Sequence, residues 1–170
     1  MPGFQIGGTG DPANSTVESR RKHRWRFSTI DGLSAQVPVY LASAQRPHLI
    51  TEEAIMHHDQ EQVSFAGKHH WEPISLVFYD ISGQGGPDSS KEIWSWINTV
   101  INIPNVRVSL PSAYKRTAKL EMTNGQGTAD ETWSIYNAWP LDLNWNDVDY
   151  SNNDIQTVDV SMKYDRAIRQ

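Results

Sequence analysis

Cysteine is absent from the 170-residue sequence, which excludes disulfides, zinc–thiolate sites and cysteine nucleophiles. No apolar run approaches the ~18 residues that a membrane-spanning helix needs, so we expect no membrane contact. Residues 1–15 also lack the basic and apolar regions of a signal peptide. An excess of positive charge is missing too. The formal net charge is −5, which argues against a nucleic-acid-binding protein of the usual basic kind.

The chain does contain enough apolar sequence to fold, since 38% of its residues are hydrophobic and seven are tryptophan. Residues 1–20 are rich in Gly, Pro, Ser and Thr and show no periodicity, which predicts a flexible N-terminal arm. Residues 21–170 are then expected to form a single domain of ordinary size.

Alternation of polar and apolar residues predicts a mainly β domain. Asp31-Gly32 indicates a hairpin between a first strand that starts near Arg24 and a returning strand over residues 35–44. Pro38 lies within that returning strand and favours an edge position or a bulge. The further predicted strands are residues 51–57, 62–66, 71–80, 114–122, 132–140 and 157–165.

One helix is predicted, over residues 90–100. Ser89 and Glu92 have the spacing of a capping box, in which the Ser89 hydroxyl would accept a hydrogen bond from the Glu92 amide. An apolar stripe at helical spacing follows, formed by Ile93, Trp94, Ile97 and Val100. This stripe predicts that Trp94 lies in the core.

Few residues suggest chemistry. The pairs His57-His58 and His69-His70 could form a two-histidine, one-carboxylate metal site with one member from each pair, since strand neighbours point to opposite sides. No spacing such as HExxH fixes that geometry, and a calcium-like run from Asp142 lacks the glycine and glutamate of such loops. The residues therefore predict no catalytic site, metal or cofactor, and they favour a structural role. A Trp-rich carbohydrate-binding β-module and a histidine-dependent metal hydrolase stay open as alternatives of other classes.

The C-terminal stretch carries the most specific signal. Residues 143–157 (LNWNDVDYSNNDIQT) precede an alternating strand with one apolar face and one polar face. This combination resembles the C-terminal pattern of the tail tube proteins of contractile-tailed bacteriophages, whose fold type VI secretion tube proteins share. The matching positions include Trp145, Asp149, Ser151, Asn152, Asn153, Asp154 and Gln156.

Two other stretches resemble the same family. Residues 63–80 contain its Val-x-x-Ala-Gly motif followed by a strand that carries Trp71. Residues 114–122 (YKRTAKLEM) lead to an aromatic-proline corner at Trp139 and Pro140. The resemblance spans residues 22–169 and does not include the N-terminal arm or the histidine pairs.

The resemblance implies two packed antiparallel sheets that form a small barrel or sandwich with one flanking α-helix. It also implies a structural subunit of the virion tail, assembled in the host cytoplasm into hexameric rings that stack into a tube. The implied partners are the tail sheath, the tape-measure protein, baseplate and terminator proteins, and double-stranded DNA that passes through without specific binding. Alternatives with the same fold are a baseplate tube-initiator ring and a tube subunit of a phage-derived contractile injection system.

The strand region Thr51–Lys68 is the best candidate for the channel wall or a contact between subunits. Two neighbouring strands joined by the polar segment HHDQEQ would form a long hairpin that reaches the next subunit. Acidic side chains would make the wall negative, with one lysine as partial compensation. The candidate residues are Glu52, Glu53, Asp59, Glu61 and Lys68.

Overall fold

The computed structural model describes residues 20–82 and 88–170. The predicted N-terminal arm, apart from Arg20, lies outside the described residues. The strands are β1 (Trp25–Ile30), β2 (Leu41–Ala44), β3 (Leu49–His58), β4 (Glu61–Trp71), β5 (Ile74–Tyr79), β6 (Ile101–Asn102), β7 (Arg107–Val108), β8 (Arg116–Thr123), β9 (Ala129–Asn144), β10 (Thr157–Lys163) and β11 (Arg166–Arg169). The α-helices are α1 (Ser89–Val100) and the single turn α2 (Pro111–Tyr114), and short 3-10 turns cover Val37–Tyr40 and Ile103–Asn105.

Seven of these strands form one antiparallel sheet in the order β1-β8-β9-β10-β5-β2, with β11 also paired to β9. The long strand β9 belongs to both halves, because its first part pairs with β8 and β11 while its last part pairs with β10. The sheet folds over at this strand, so the predicted two-layered, mainly β sandwich is confirmed. Among the described residues, β1 and β2 are not paired to each other, and the sandwich does not close into a barrel.

The core lies between the two halves of the folded sheet and under α1. It includes side chains from β1, β5, β8, β9 and β10 in one contiguous cluster. The apolar face predicted for residues 157–165 is confirmed. Val158, Val160 and Met162 of β10, and Tyr164 directly after it, are each at most 2% exposed. Burial of one face of this strand explains its strict alternation.

Helix α1 begins one residue earlier than predicted, and its cap differs. Asp88 is the N-cap and accepts a hydrogen bond from the Lys91 amide at 2.9 Å. The Ser89 hydroxyl instead donates to the Tyr79 carbonyl at 2.8 Å and accepts from the Ile81 amide at 3.0 Å. The predicted capping box is therefore wrong, because the Ser89 side chain ties the helix start to the end of β5.

The predicted hairpin at Asp31-Gly32 is also wrong. Gly32 does adopt a positive φ of 76°, as a turn residue can. However, β1 pairs with β8, while β2 pairs with β5 and begins only after the 3-10 turn that contains Pro38. Because the chain turns away at Gly32, the two segments become the opposite edges of the sheet.

Candidate functional site

The β3–β4 hairpin projects beyond the folded sheet. It continues the edge pair β2–β5, since the Gln45 amide bonds to the Ser75 carbonyl and the Glu72 amide bonds to the His48 carbonyl, both at 3.0 Å. All side chains from Thr51 to His70 are exposed. The predicted long hairpin is therefore confirmed, and it extends the sheet edge without covering any part of the core.

Trp71 anchors the root of this hairpin on β10. The Lys163 ammonium donates to the Trp71 carbonyl at 2.6 Å, and the indole packs against the Tyr164 ring with 5.7 Å between centroids. Trp71 is half-buried against the core. The hairpin is thus held at its base while the rest of its length stays free.

Replacing Tyr164 by phenylalanine should remove an alkaline sensitivity from the domain. Burial raises the pKa of the Tyr164 hydroxyl to about 12. The unfolded chain ionises tyrosine near ~10, so the stabilisation is complete below that pH and is lost as the pH rises towards 12. Urea unfolding at about pH 9 and about pH 11.5 should show the wild type losing more stability than the variant, by about 1 kcal/mol once solvent screening is included. Equal losses in the two proteins would contradict this.

The hairpin has two chemically different faces, because paired residues share a face and neighbours alternate. Register pairs Ala54 with Phe65 and Met56 with Val63, which together form an apolar face. Phe65 is 53% exposed, so no other part of the described chain buries its ring. The opposite face, here called the polar face, carries Thr51, Glu53, Ile55, His57, Gln62, Ser64 and His69.

A bulge near Gly67 brings the two strands of the hairpin unusually close. The register shifts between Thr51 and Glu53, so Gly67 and Lys68 together oppose Glu52. A Cβ atom on Gly67 would lie 2.9 Å from the Glu52 carbonyl oxygen. Glycine is therefore required at position 67, because a Cβ atom there would clash with the backbone of the facing strand.

Gly67→Ala should therefore distort the outer half of the hairpin while leaving the core intact. The new methyl would force the strands apart at the bulge, yet unfolding should change by less than about 0.5 kcal/mol because the site is exposed. Amide hydrogen exchange in the outer half of the hairpin and thermal unfolding of the whole domain would measure the two effects. Ala66→Ser is the matched control, since it adds one atom without touching the bulge. Unchanged hydrogen exchange along the hairpin of Gly67→Ala would contradict the expectation.

The five candidate channel residues all lie on this hairpin but do not share one face. Glu53 is on the polar face, where its carboxylate accepts from the Ser64 hydroxyl. Glu52 points the other way, with its carboxylate 3.9 Å from His70 Nδ1. Glu61 pairs with His58 at the end of the apolar face, and Asp59 occupies the tip with a φ of 51°.

The histidine pairs do not come together. His57 and His58 are at the tip of the hairpin, and His69 and His70 are near its root, opposite Thr51 and Ile50. Within residues 20–82 and 88–170, no group of three potential ligands could hold a metal ion.

The C-terminal motif forms an exposed loop, here called the acidic loop, over residues 145–156. Its ends are fastened by side chains: Asn146 Nδ2 donates to the Thr157 carbonyl at 3.1 Å, and Trp145 Nε1 donates to Ser90 Oγ at 2.8 Å. The Asn152 side chain accepts from the Asp154 amide at 3.0 Å, and Ser151 donates to Asp149 through its amide at 2.9 Å. Ser151, Asn152, Asn153 and Asp154 are all exposed, and the bonds given for Ser151, Asn152 and Asp154 stay within the loop.

The aromatic-proline corner lies where β9 passes from one half of the sheet to the other. Pro140 is buried, and its partner Met162 adjoins a shift of register in β10. The Trp139 ring is half-buried and meets the Tyr114 ring edge-on at 5.9 Å. These two motif residues thus stabilise the bend that makes the sandwich.

Burial of the Glu131 carboxylate was not predicted from the sequence. It is 3% exposed and lies 2.6 Å from Arg20 Nη1, 3.1 Å from Arg169 Nη2 and 3.9 Å from Arg46 Nη1. These arginines come from the start of the described chain, the C-terminal strand and the segment after β2. Their distance in sequence left no local signal that could have revealed the cluster.

A second exposed apolar surface lies on the segment that follows α1. The two-residue strands β6 and β7 form a small hairpin, and Val106 at its turn has a φ of 48°, which is uncommon for a β-branched residue. Exposed apolar side chains cover this segment: Ile101, Ile103, Val106, Val108 and Leu110. Exposure of five such residues on ten positions is typical of a contact surface.

Comparison with known proteins identifies the relatives of this fold. The chain is 25% identical over 146 residues to the tail tube protein of Serratia phage KSP90, a match that covers 81% of each chain. The tube-terminating cap of the anti-feeding prophage superposes with a TM-score of 0.71 at 18% identity, covering 92% of this chain and 93% of the cap.

A third similar structure comes from the sheath–tube complex, in its extended state, of the extracellular contractile injection system PVC. One of its chains superposes with a TM-score of 0.68 at 20% identity, covering 91% of this chain and 93% of that one. Within the described ranges, no helix is long and apolar enough to cross a bilayer.

The family described as T4-like virus tail tube protein gp19 matches residues 56–167, which include β4, α1 and the C-terminal motif. That stretch is more than half of the chain. The uncovered hairpin and the motif loop agree with a protein built for contacts rather than catalysis. The chain therefore belongs to the T4-like tail tube protein family, and it is a structural component of a phage-type virion tail, not an enzyme.

Proposed function

We propose that this chain forms hexameric rings that stack into a tail tube, assembled in the host cytoplasm, and that its channel conducts DNA during ejection. The observation that carries the proposal is the free-standing hairpin, whose apolar face has no cover among the described residues. An exposed apolar surface of this kind is typical of a site that a partner protein buries. Repeating one such heterologous contact around an axis closes a ring when its rotation divides a full turn.

The two faces of the hairpin have different roles in this arrangement. Val63, Phe65 and Met56 pack against the neighbouring subunit, and the polar face borders the channel. Glu53 then contributes negative charge to the wall, which repels phosphate and lets DNA and the tape-measure protein slide. Asp59 and Glu61 at the tip and Lys68 at the bulge lie at the edges of the contact.

The further partners in this proposal are the tail sheath and the baseplate and terminator proteins. Support comes from the relatives, which include a tube-terminating cap and a chain of a sheath–tube complex. The apolar segment 101–110 is a candidate for contacts between rings, together with the N-terminal arm. A baseplate tube-initiator ring is the alternative within the same fold. Another is a tube subunit of an injection system without a genome, since two similar structures come from an extracellular contractile injection system.

Negative-stain microscopy of the purified full chain tests the proposal. Rings with a central hole, or tubes built from them, are expected at high protein concentration, with six-fold symmetry in averaged end views. A strict monomer at all concentrations, or one that binds glycans, would overturn the proposal and favour the Trp-rich carbohydrate-binding module.

The role of the channel wall needs a separate measurement. Glu53→Lys should leave ring formation intact but slow DNA release from particles that contain the variant, because a lysine on the wall attracts phosphate. Glu52→Lys, on the opposite face of the same strand, should instead weaken assembly, because that face is proposed to contact the neighbouring subunit. Equal rates of release for Glu53→Lys and wild type would exclude this face from the channel.

A further inference from the structure

The two edges of the sheet leave an open cleft between them. One part, of about 550 Å³, is lined by Trp25 of β1, residues 42–44 of β2 and Met122 of β8. An adjoining part of about 690 Å³ continues between β1 and the turn before β2. The cleft therefore has a largely apolar floor. Both of its walls are edge strands, since among the described residues β1 pairs only with β8 and β2 only with β5.

The rim of this cleft is basic. Arg20, Arg21, Lys22, His23 and Arg46 all line its first part. Arg20 is already paired with Asp130 and Glu131. Arg21 and Lys22 are exposed and form no ion pair within the described residues. An occupant with negative charge and at least one large apolar group would complement the cleft.

The acidic loop has this chemistry. Asp147, Asp149 and Asp154 give it negative charge, while Val148 is 85% exposed and the Tyr150 side chain is fully exposed. Hydrogen bonds from the Ser151 amide and hydroxyl lower the pKa of Asp149, so this carboxylate stays ionised well into the acidic range. Tyrosine is a frequent anchor of protein interfaces, since it combines a large apolar ring with one polar group.

We propose that the acidic loop of one copy docks into the basic cleft of a second copy, with Tyr150 in the cleft and Asp147 and Asp149 against Arg21 and Lys22. The inference rests on the proposed tube and names two of the surfaces that join its subunits. The contact differs from the one made by the apolar face of the hairpin.

Sheet order favours a second copy over the chain's own loop. The acidic loop joins β9 to β10, whereas the cleft lies beyond β2, which is separated from β10 by β5. The two surfaces therefore lie at opposite ends of the strand order β9-β10-β5-β2, with the loop at the β9–β10 end and the cleft at the β2 end. Complementary surfaces on different sides of one subunit are what a repeating heterologous contact requires.

Charge exchange tests the pairing. Asp149→Arg and Arg21→Glu should each reduce the assembled fraction about tenfold, because each places like charges against one another. The variant that carries both changes should regain most of the assembly, since the attraction is restored with opposite polarity. Losses that simply add in the combined variant would overturn the proposal.

A cross-linking experiment gives a second, independent measurement in the cysteine-free chain. With Val148→Cys and Ser43→Cys combined, which leaves Tyr150 in place, mild oxidation of assembled particles should give a ladder of covalent oligomers on a denaturing gel. Each single variant should give no ladder beyond a dimer. A fast-migrating monomer would show that the chain's own loop fills the cleft.

The outcomes separate this proposal from that of the tube. Rings without a ladder would overturn the docking but leave the tube intact. Recovery of the ladder only after deletion of residues 2–15 would identify the chain's own N-terminal segment as the occupant, and would also overturn the docking. Failure of the wild-type chain to form rings or tubes would overturn both.

Discussion

Phe65→Lys should abolish ring and tube formation while the monomer stays folded. Burying a phenylalanine side chain contributes about 2 kcal/mol to a contact, so losing it weakens each pairwise association ~30-fold. The inserted ammonium adds a desolvation cost in the same place. Because every subunit of a ring makes this contact, the losses act together, and we expect no particles on a sizing column or in negative stain.

The fold of the monomer should be insensitive to this change. Phe65 is more than half exposed and belongs to a hairpin that buries nothing beyond its root. Thermal unfolding of Phe65→Lys should therefore match wild type at a protein concentration below that of assembly, with a difference of about 0.5 kcal/mol or less.

Gln62→Lys is the matched control for Phe65→Lys. Gln62 lies on the same strand, but on the polar face, opposite His57. The same charge is introduced three residues away without removing apolar surface, so rings should still form. If both variants assemble, the apolar face is not a subunit contact. If neither does, the hairpin tolerates no added charge and the distinction between its faces is wrong.

Sequence periodicity predicted those strands that bury one face in the core and leave the other face exposed. The face of β10 from Val158 to Tyr164 alternates because it lies on the core, and the signal is clean for that reason. The strands of the long hairpin were predicted from alternation and from the polar segment HHDQEQ that joins them. Their two faces were not, because the bulge at Gly67 changes the phase of alternation partway along β4.

Pairings between distant segments could not be read from local signals. Asp31-Gly32 marked a turn correctly, but the partner of β1 is β8, some ninety residues further along. The Glu131 cluster could not be predicted for the same reason, since its arginines come from three separate parts of the chain. Turn chemistry specifies where a chain bends, whereas tertiary packing decides which strands meet.

The orientation of α1 depended on packing in the same way. Helical spacing from Ile93 permits a stripe through either Trp94 or Trp96, because both are within one turn of it. In the structure Trp96 is 1% exposed and Trp94 is 41% exposed, so the prediction that Trp94 lies in the core is wrong. Trp94 instead packs edge-on against Trp145 of the acidic loop, at 5.3 Å.

Trp96→Ala should be the most destabilising single change in the domain, by about 3–5 kcal/mol. The indole fills the space between α1 and the sheet, donates from Nε1 to the Tyr114 carbonyl at 3.0 Å, and has the Arg116 guanidinium 4.9 Å above its ring. Its removal leaves a cavity, an unpaired carbonyl and a half-buried cation. Since domains of this size are stable by only about 5–15 kcal/mol, much of the variant should be unfolded or aggregated at 37 °C.

Trp94→Ala is the matched control, because it removes the same side chain two residues away on the same helix. An exposed edge-on contact with Trp145 should contribute about 0.5–1.5 kcal/mol. Urea unfolding followed by far-UV circular dichroism measures both changes on one scale. A smaller loss for Trp96→Ala than for Trp94→Ala would mean that α1 packs through its other face. Comparable losses would mean that the contact between Trp94 and the acidic loop contributes as much to stability as the core does.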